Sequence, residues 1–167
     1  MAKGAFHDFS LNNLFIGLVP GSIGETSTLM CLIGAFILIV TRVGSWQIIF
    51  SVILGAVVTA AFTNTLATES TPFLQLSPIQ HLTMGGFMFG AVYMATDPVS
   101  ASATGKGKFI YGFLIGVLTI LIRFFNPAYP EGMMLSILFM NIFAPLIDHY
   151  VVKGNVKRRL KRAEQAG

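Results

Sequence analysis

Three carboxylates stand where an apolar chain has little reason to keep them. Asp97 ends the stretch G-G-F-M-F-G-A-V-Y-M-A-T-D (residues 85–97) and precedes Pro98. Asp148 lies in P-L-I-D-H-Y-V-V, and Glu25 in S-I-G-E. An aspartate at the centre of a membrane helix costs about 2.5–3.5 kcal/mol, and less near an end, so an acid kept in apolar surroundings marks a candidate ion or cofactor site. Each acid also has an ordinary structural role. Asp97 with Pro98 at N1 can start a helix. Ser22 and Glu25 fit a capping box. Asp148, near a span's end, can snorkel to the interface.

The elements that must position these acids follow from composition. The 167 residues are 54% hydrophobic and 11% charged, with a mean hydropathy of +0.73. A soluble domain carries about 25% charged residues, so this chain cannot clothe a water-facing surface. An all-α polytopic membrane protein is expected. The net charge of +4 is not a nucleic-acid footprint, because six of the 11 basic residues lie between Lys153 and Arg162, as at a cytoplasmic membrane end. The single cysteine, Cys31, excludes disulfides and zinc clusters within the chain and reads as a small buried hydrophobe. No G-x-G-x-x-G or P-loop is present, and no spacing suggests a Ser-His-Asp triad. The first residues lack the apolar core of a signal peptide, so insertion would rest on later segments.

About five transmembrane helices are expected: 24–41, 46–66, 81–96, 109–125 and 131–152. The third is short and glycine-rich. Residues 1–23 form a polar lead-in with a short re-entrant apolar segment, residues 24–152 the membrane domain, and residues 153–167 a basic tail. The loops are 67–80, which is polar, 97–108, and the rigid N-P-A-Y-P turn at 126–130. With the tail cytoplasmic, alternation places Arg42, Lys106 and Lys108 on the same side, leaving only Lys3 and Arg123 opposite. An odd number of spans suits one half of an inverted-repeat bundle. Asp97 and Asp148 then fall at similar depth on the cytoplasmic side, where they can share a sodium ion. Thr96, Ser100, Ser102 and backbone carbonyls add hard oxygens. Glu25 falls on the opposite face.

Gly86 and Gly90 make one G-x-x-x-G, and Gly112 and Gly116 another, both suited to close helix contact. The methionines at 84, 88, 94, 133, 134 and 140 read as adaptable packing, and Asn141 as interhelical glue. His149 reads as an interface residue or a proton carrier.

Four blocks, in order, resemble a known family: P-G-S-I-G-E-T-S-T (20–28), the run from Gly85 to Ser102, L-I-R-F-F-N-P-A-Y-P-E-G-M-M (121–134) and M-N-I-F-A-P-L-I-D-H (140–149). They resemble the B-type subunit of the sodium-translocating NADH:quinone reductase and, in fewer features, the D-type subunit of the Rnf electron-transport complex. The likeness covers the C-terminal part of a longer family protein with roughly twice as many spans. It implies one portion of a redox-driven pump passing electrons from NADH through flavins to ubiquinone and expelling Na+, an enzyme as a complex and inactive as this portion alone.

The same resemblance implies a multi-pass position in a bacterial inner membrane with a cytoplasmic C-terminus, other complex subunits as partners, and a noncovalent riboflavin. It also implies FMN held through a phosphoester on a threonine in an S-G-A-T context, upstream of the matching region. No S-G-A-T occurs here, and Ile23-Gly24-Glu25-Thr26 keeps only the glycine and final threonine. The family's sodium-pathway acids match Asp97, Asp148 and Glu25. An Rnf-type subunit taking electrons from ferredoxin, a channel or transporter without redox chemistry, and a purely structural assembly subunit are the competing readings.

Overall fold

The computed structural model describes residues 10–19, 21–22, 24–65, 77–125 and 132–166, and every regular element in them is helical. The expected N-terminal residues 1–9, most of the 67–80 loop and the 126–130 turn lie outside the described residues. The helices are α1 (Leu11–Ile16), α2 (Thr28–Val40), α3 (Trp46–Thr65), α4 (Pro78–Thr83), α5 (Phe87–Phe89), α6 (Gly105–Phe125) and α7 (Gly132–Ala166). A π turn, Gly90–Met94, continues α5.

Among the described residues, three helices, α3, α6 and α7, are long and apolar enough to cross a membrane. The other two expected spans take different forms. The first, expected from Gly24, begins at Thr28, where the Ser27 hydroxyl accepts from the Met30 amide. Its 13 residues rise only about 20 Å at 1.5 Å each, short of a ~30 Å hydrocarbon core. The third, expected unbroken over 81–96, is split at Met84–Gly86. Gly85 adopts φ +63°, a conformation that side-chain-bearing residues resist, and Gly86 caps the second half. Residues 153–166, expected as a tail, continue α7 as helix.

α3 and α6 lie side by side and run parallel. A Cβ at Gly112 would stand 2.8 Å from the Ile48 carbonyl, and one at Gly116 2.6 Å from the Ala56 amide, so the paired positions advance together. Glycine is required at both because backbone meets backbone, the use expected of this G-x-x-x-G within one chain. Parallel neighbours oblige the chain between them to return across the layer. The broken α4–α5 segment makes that return.

α7 packs antiparallel on α6. Thr119 donates to the Met133 sulfur at one end (3.2 Å), Tyr111 to Asn141 Oδ1 in the middle (2.5 Å), and the Asp148 carboxylate lies against Gly107 at the other. Asn141 therefore acts as the expected glue. Pro145, inside α7, has no amide for the Asn141 carbonyl. The core between these helices holds Phe87, Met88, Ala91, Ile115, Met133, Ile137 and Met140. The buried methionines serve as packing. Cys31 is buried, as expected of a small hydrophobe. Outward faces carry large exposed apolar residues such as Phe36, Leu138 and Ile142, suited to lipid.

Candidate functional site

The broken segment is the feature around which the charged residues gather. At the first half's end, α4 leaves carbonyls with no intrahelical amide, as any helix does. Arg123, in the last turn of α6, supplies the donors: Nη1 donates to the His81 carbonyl (2.6 Å) and Nη2 to the Met84 carbonyl (2.8 Å). Its guanidinium also lies 5.8 Å from the Phe87 ring centre, so one buried cation spans both halves of the break.

Glu25 occupies the other half's start. Its carboxylate packs so closely on Gly86 that a Cβ there would stand 2.8 Å from Oε2. The residue is buried, and Oε1 accepts from the Ser22 amide at 3.1 Å, one of the two bonds of the expected capping box. The box caps no helix, because α2 starts only at Thr28. An acid beside the N-terminal end of α5 and a base on the C-terminal end of α4 suit the dipoles of a divided helix. Gly86 and Gly90 do not form a seam toward α6: Gly86 faces Glu25, and Gly90 faces Met133 and Ile137 of α7.

Beyond the break, the π turn closes with the Ala95 amide donating to the Gly90 carbonyl at 2.7 Å. Its Tyr93 hydroxyl rests on Gly34 of α2, in the space that a Cβ there would need. Thr96 turns its hydroxyl back to the Val92 carbonyl (2.6 Å). Such π turns recur at functional sites because they re-aim side chains within a helix.

At the far end, Asp97 and Asp148 hold the same loop from two sides. Asp97 Oδ2 accepts from the Ser100 hydroxyl (2.7 Å) and amide (3.1 Å), closing the single turn that Asp97-Pro98 predicts. The Ser100 hydroxyl, then the Ser100 and Val99 amides, hold this carboxyl below the usual aspartate range. Asp148 reaches from α7 and accepts four bonds. Ser102 Oγ (2.5 Å), Thr104 Oγ1 (2.5 Å) and the Thr104 amide (3.1 Å) meet Oδ1, and the Ala103 amide (2.8 Å) meets Oδ2. The two aspartates bond different residues of the loop.

The sequence-predicted acids thus fall into two stations, Glu25 at the break and the Asp97/Asp148 pair at the other end of the segment. Among the described residues, no three His, Cys, Asp or Glu side chains gather as a metal cluster. Of the expected extra oxygens, Ser100 joins Asp97, Ser102 joins Asp148, and Thr96 joins neither. His149 is exposed, with its ring edge against Tyr150. Sequence reasoning missed Arg123 and Thr104. The signal for Arg123 was its lone charge inside an apolar run.

A family model described as NQR2, RnfD, RnfE family matches residues 1–157. Relatives named as the B-type subunit of Na(+)-translocating NADH-quinone reductase include that of Yersinia pestis, 57% identical over 150 residues, which are 90% of this chain and 36% of the relative. That of Chromohalobacter salexigens is 54% identical over 154 residues, 92% of this chain and 38% of the relative. That of Pseudomonas aeruginosa is 52% identical over 156 residues, 93% and 39% respectively. The chain spans less than two fifths of the length of these relatives. It belongs to the NQR2, RnfD, RnfE family.

Proposed function

We propose that this chain forms the C-terminal membrane portion of a subunit of a redox-driven sodium pump, and that it lines the path of the ion. The observation that carries the reading is the divided segment with carboxylates at both ends. Na+ is drawn to the Asp97/Asp148 end, moves along the segment from Thr96 toward Gly86, and leaves past Glu25. Hydroxyl and carbonyl oxygens replace its water on the way, as divided helices do for ions in transporters. Arg123 is a fixed positive charge on the carbonyl side of the break. It opposes cation leakage there, and Glu25 offsets it.

In this reading residues 1–23 lead in on the periplasmic side, 24–152 form the membrane domain, and 153–167 end in the cytoplasm of a bacterium bounded by its inner membrane. Electrons pass from NADH through flavins to ubiquinone in other parts of the complex, and the other subunits are the partners. The residues present do not fit covalent FMN. Thr26 keeps only the glycine and final threonine of the S-G-A-T context, and its methyl group packs on Gly21 in the turn before α2. The FMN-bearing threonine is assigned to the part of the family's chain upstream of the matching region, and this chain contributes part of a flavin cavity. The relatives' names favour this reading over the D-type subunit of an Rnf complex, with which the family model is shared.

The test is sodium activation of quinone reduction by the assembled complex carrying Asp97→Ala or Asp148→Ala in the corresponding subunit. Weakened sodium dependence with normal assembly is expected. Unchanged activation in both variants overturns the ion-path assignment.

A further inference from the structure

A groove of about 360 Å³ runs along the outer side of the α3–α6 contact, lined by Phe50, Leu54, Phe109, Ile110, Phe113 and Leu114, with Ser51 at its floor. The Ser51 hydroxyl is spent on the Gln47 and Ile48 carbonyls, so nothing polar is aimed into the groove. The small residues of this helix pair, Gly55, Gly112 and Gly116, are turned inward to the α3–α6 contact. The groove's own wall is large and apolar, unlike the small-residue surfaces on which a second membrane helix packs closely.

One end of the groove is basic. Phe109, on its wall, meets the Trp46 ring edge-on at 6.0 Å. Next to Phe109, Lys108 extends Nζ to the Ser45 hydroxyl (2.7 Å), which leaves two of its three donors for another acceptor. Lys106 and Arg42 are exposed at the same end, Arg42 just before α3 and Lys106 in the first turn of α6. Trp46 opens α3 half-exposed, in the manner of interfacial tryptophans.

We infer that this groove is a binding site for an anionic phospholipid, with one acyl chain along the Phe50–Leu114 wall and the phosphate headgroup held by Lys106, Lys108 and Arg42. The apolar wall needs a flexible chain with no polar group of its own. The basic rim supplies charge complementarity to the headgroup at the level where Trp46 marks the interface. The site is independent of the sodium path, which lies on the opposite side of α6 among α5 and α7.

Trp46 is the only tryptophan of the chain, so its fluorescence reports on the groove's mouth. The assembled complex and its Trp46→Phe variant are reconstituted in vesicles containing brominated phosphatidylglycerol or brominated phosphatidylcholine, whose bromines quench indole on contact, and the difference between the two isolates Trp46. The expected result is half-maximal quenching at a roughly fivefold or more lower mole fraction of the anionic lipid, in line with the attraction of one or more basic residues. Lys106→Gln, Lys108→Gln and Arg42→Gln together abolish the preference, whereas Lys108→Arg, which keeps the charge, retains it. Equal quenching by both lipids overturns the assignment, as does a preference that survives the triple substitution. Either result would leave the groove to a partner protein or an uncharged ligand.

Discussion

Replacing Arg123 with methionine, similar in length but uncharged, removes both donors that close the end of α4. Two hydrogen bonds from a charged donor are worth about 1.5–3 kcal/mol each, and the contact with the Phe87 ring about 0.5–2 kcal/mol. Against this, the buried guanidinium no longer carries its desolvation penalty of several kcal/mol. The two carbonyls at His81 and Met84 stay in a low-dielectric site without partners, so the net loss is about 2–4 kcal/mol. The loss should be local before it is global. Amide exchange of the assembled complex is the assay, read at Met84, bonded to the Gln80 carbonyl, and Gly90, bonded to the Gly86 carbonyl. At tenfold per 1.4 kcal/mol, exchange at these two amides should rise about 30-fold or more, while amides in the centre of α3 change little. Arg123→Lys should recover about half the protection, because an ammonium cannot present the planar fork that meets both carbonyls. Unchanged exchange at Met84 and Gly90 in Arg123→Met would refute the reasoning that this cation joins the two halves.

Further outcomes follow from the same contacts. Gly116→Leu drives a side chain into the α3 backbone and should lower the complex's thermal midpoint by the equivalent of about 1–3 kcal/mol or more, whereas Gly105→Ala, where a Cβ meets nothing within 4 Å, should be neutral to slightly stabilising; equal effects would contradict the packing assignment. Gly86→Ala pushes the Glu25 carboxylate off the break, so its sodium half-saturation should shift in the same direction as in Glu25→Gln; an ordinary sodium response would separate Gly86 from Glu25. The folded pKa of Asp97 lies below its unfolded value of about 3.9, so its bonds to Ser100 stabilise the 97–101 turn fully above about pH 4 and are lost as pH falls through the lowered folded value. Exchange at Ala101, corrected for its intrinsic rate, should show that loosening only below about pH 4, and a transition near neutrality would contradict it.

Much of the architecture was legible because membrane helices write themselves in composition. Trp46–Thr65 and Gly105–Phe125 appear within a few residues of expectation, since long uncharged runs leave a backbone in lipid no other way to satisfy itself. The Gly112/Gly116 contact was legible for the same reason, because close packing in lipid needs small residues. The break at Met84–Gly86 was not. A run of apolar residues over 81–96 looks continuous by hydropathy, and glycine's positive φ at Gly85 is a conformational choice that hydropathy does not record. The site was half legible. Asp97 and Asp148 were found as charges in apolar surroundings, and the Asp97 turn follows from Asp-Pro. That Asp148 clamps Ser102, Ala103 and Thr104 across more than 40 residues, or that Arg123 answers carbonyls of α4, depends on tertiary geometry that spacing cannot supply.

In the proposed pump, sodium travels along the divided segment between Glu25 and the Asp97/Asp148 pair. The most direct test is radioactive sodium uptake by proteoliposomes holding the complete complex, counted per NADH oxidised, with Glu25→Gln and Asp148→Asn combined in the corresponding chain. NADH oxidation should continue at a reduced rate while the sodium carried per NADH falls by tenfold or more. An unchanged ratio of sodium to NADH in the double variant would contradict the claim.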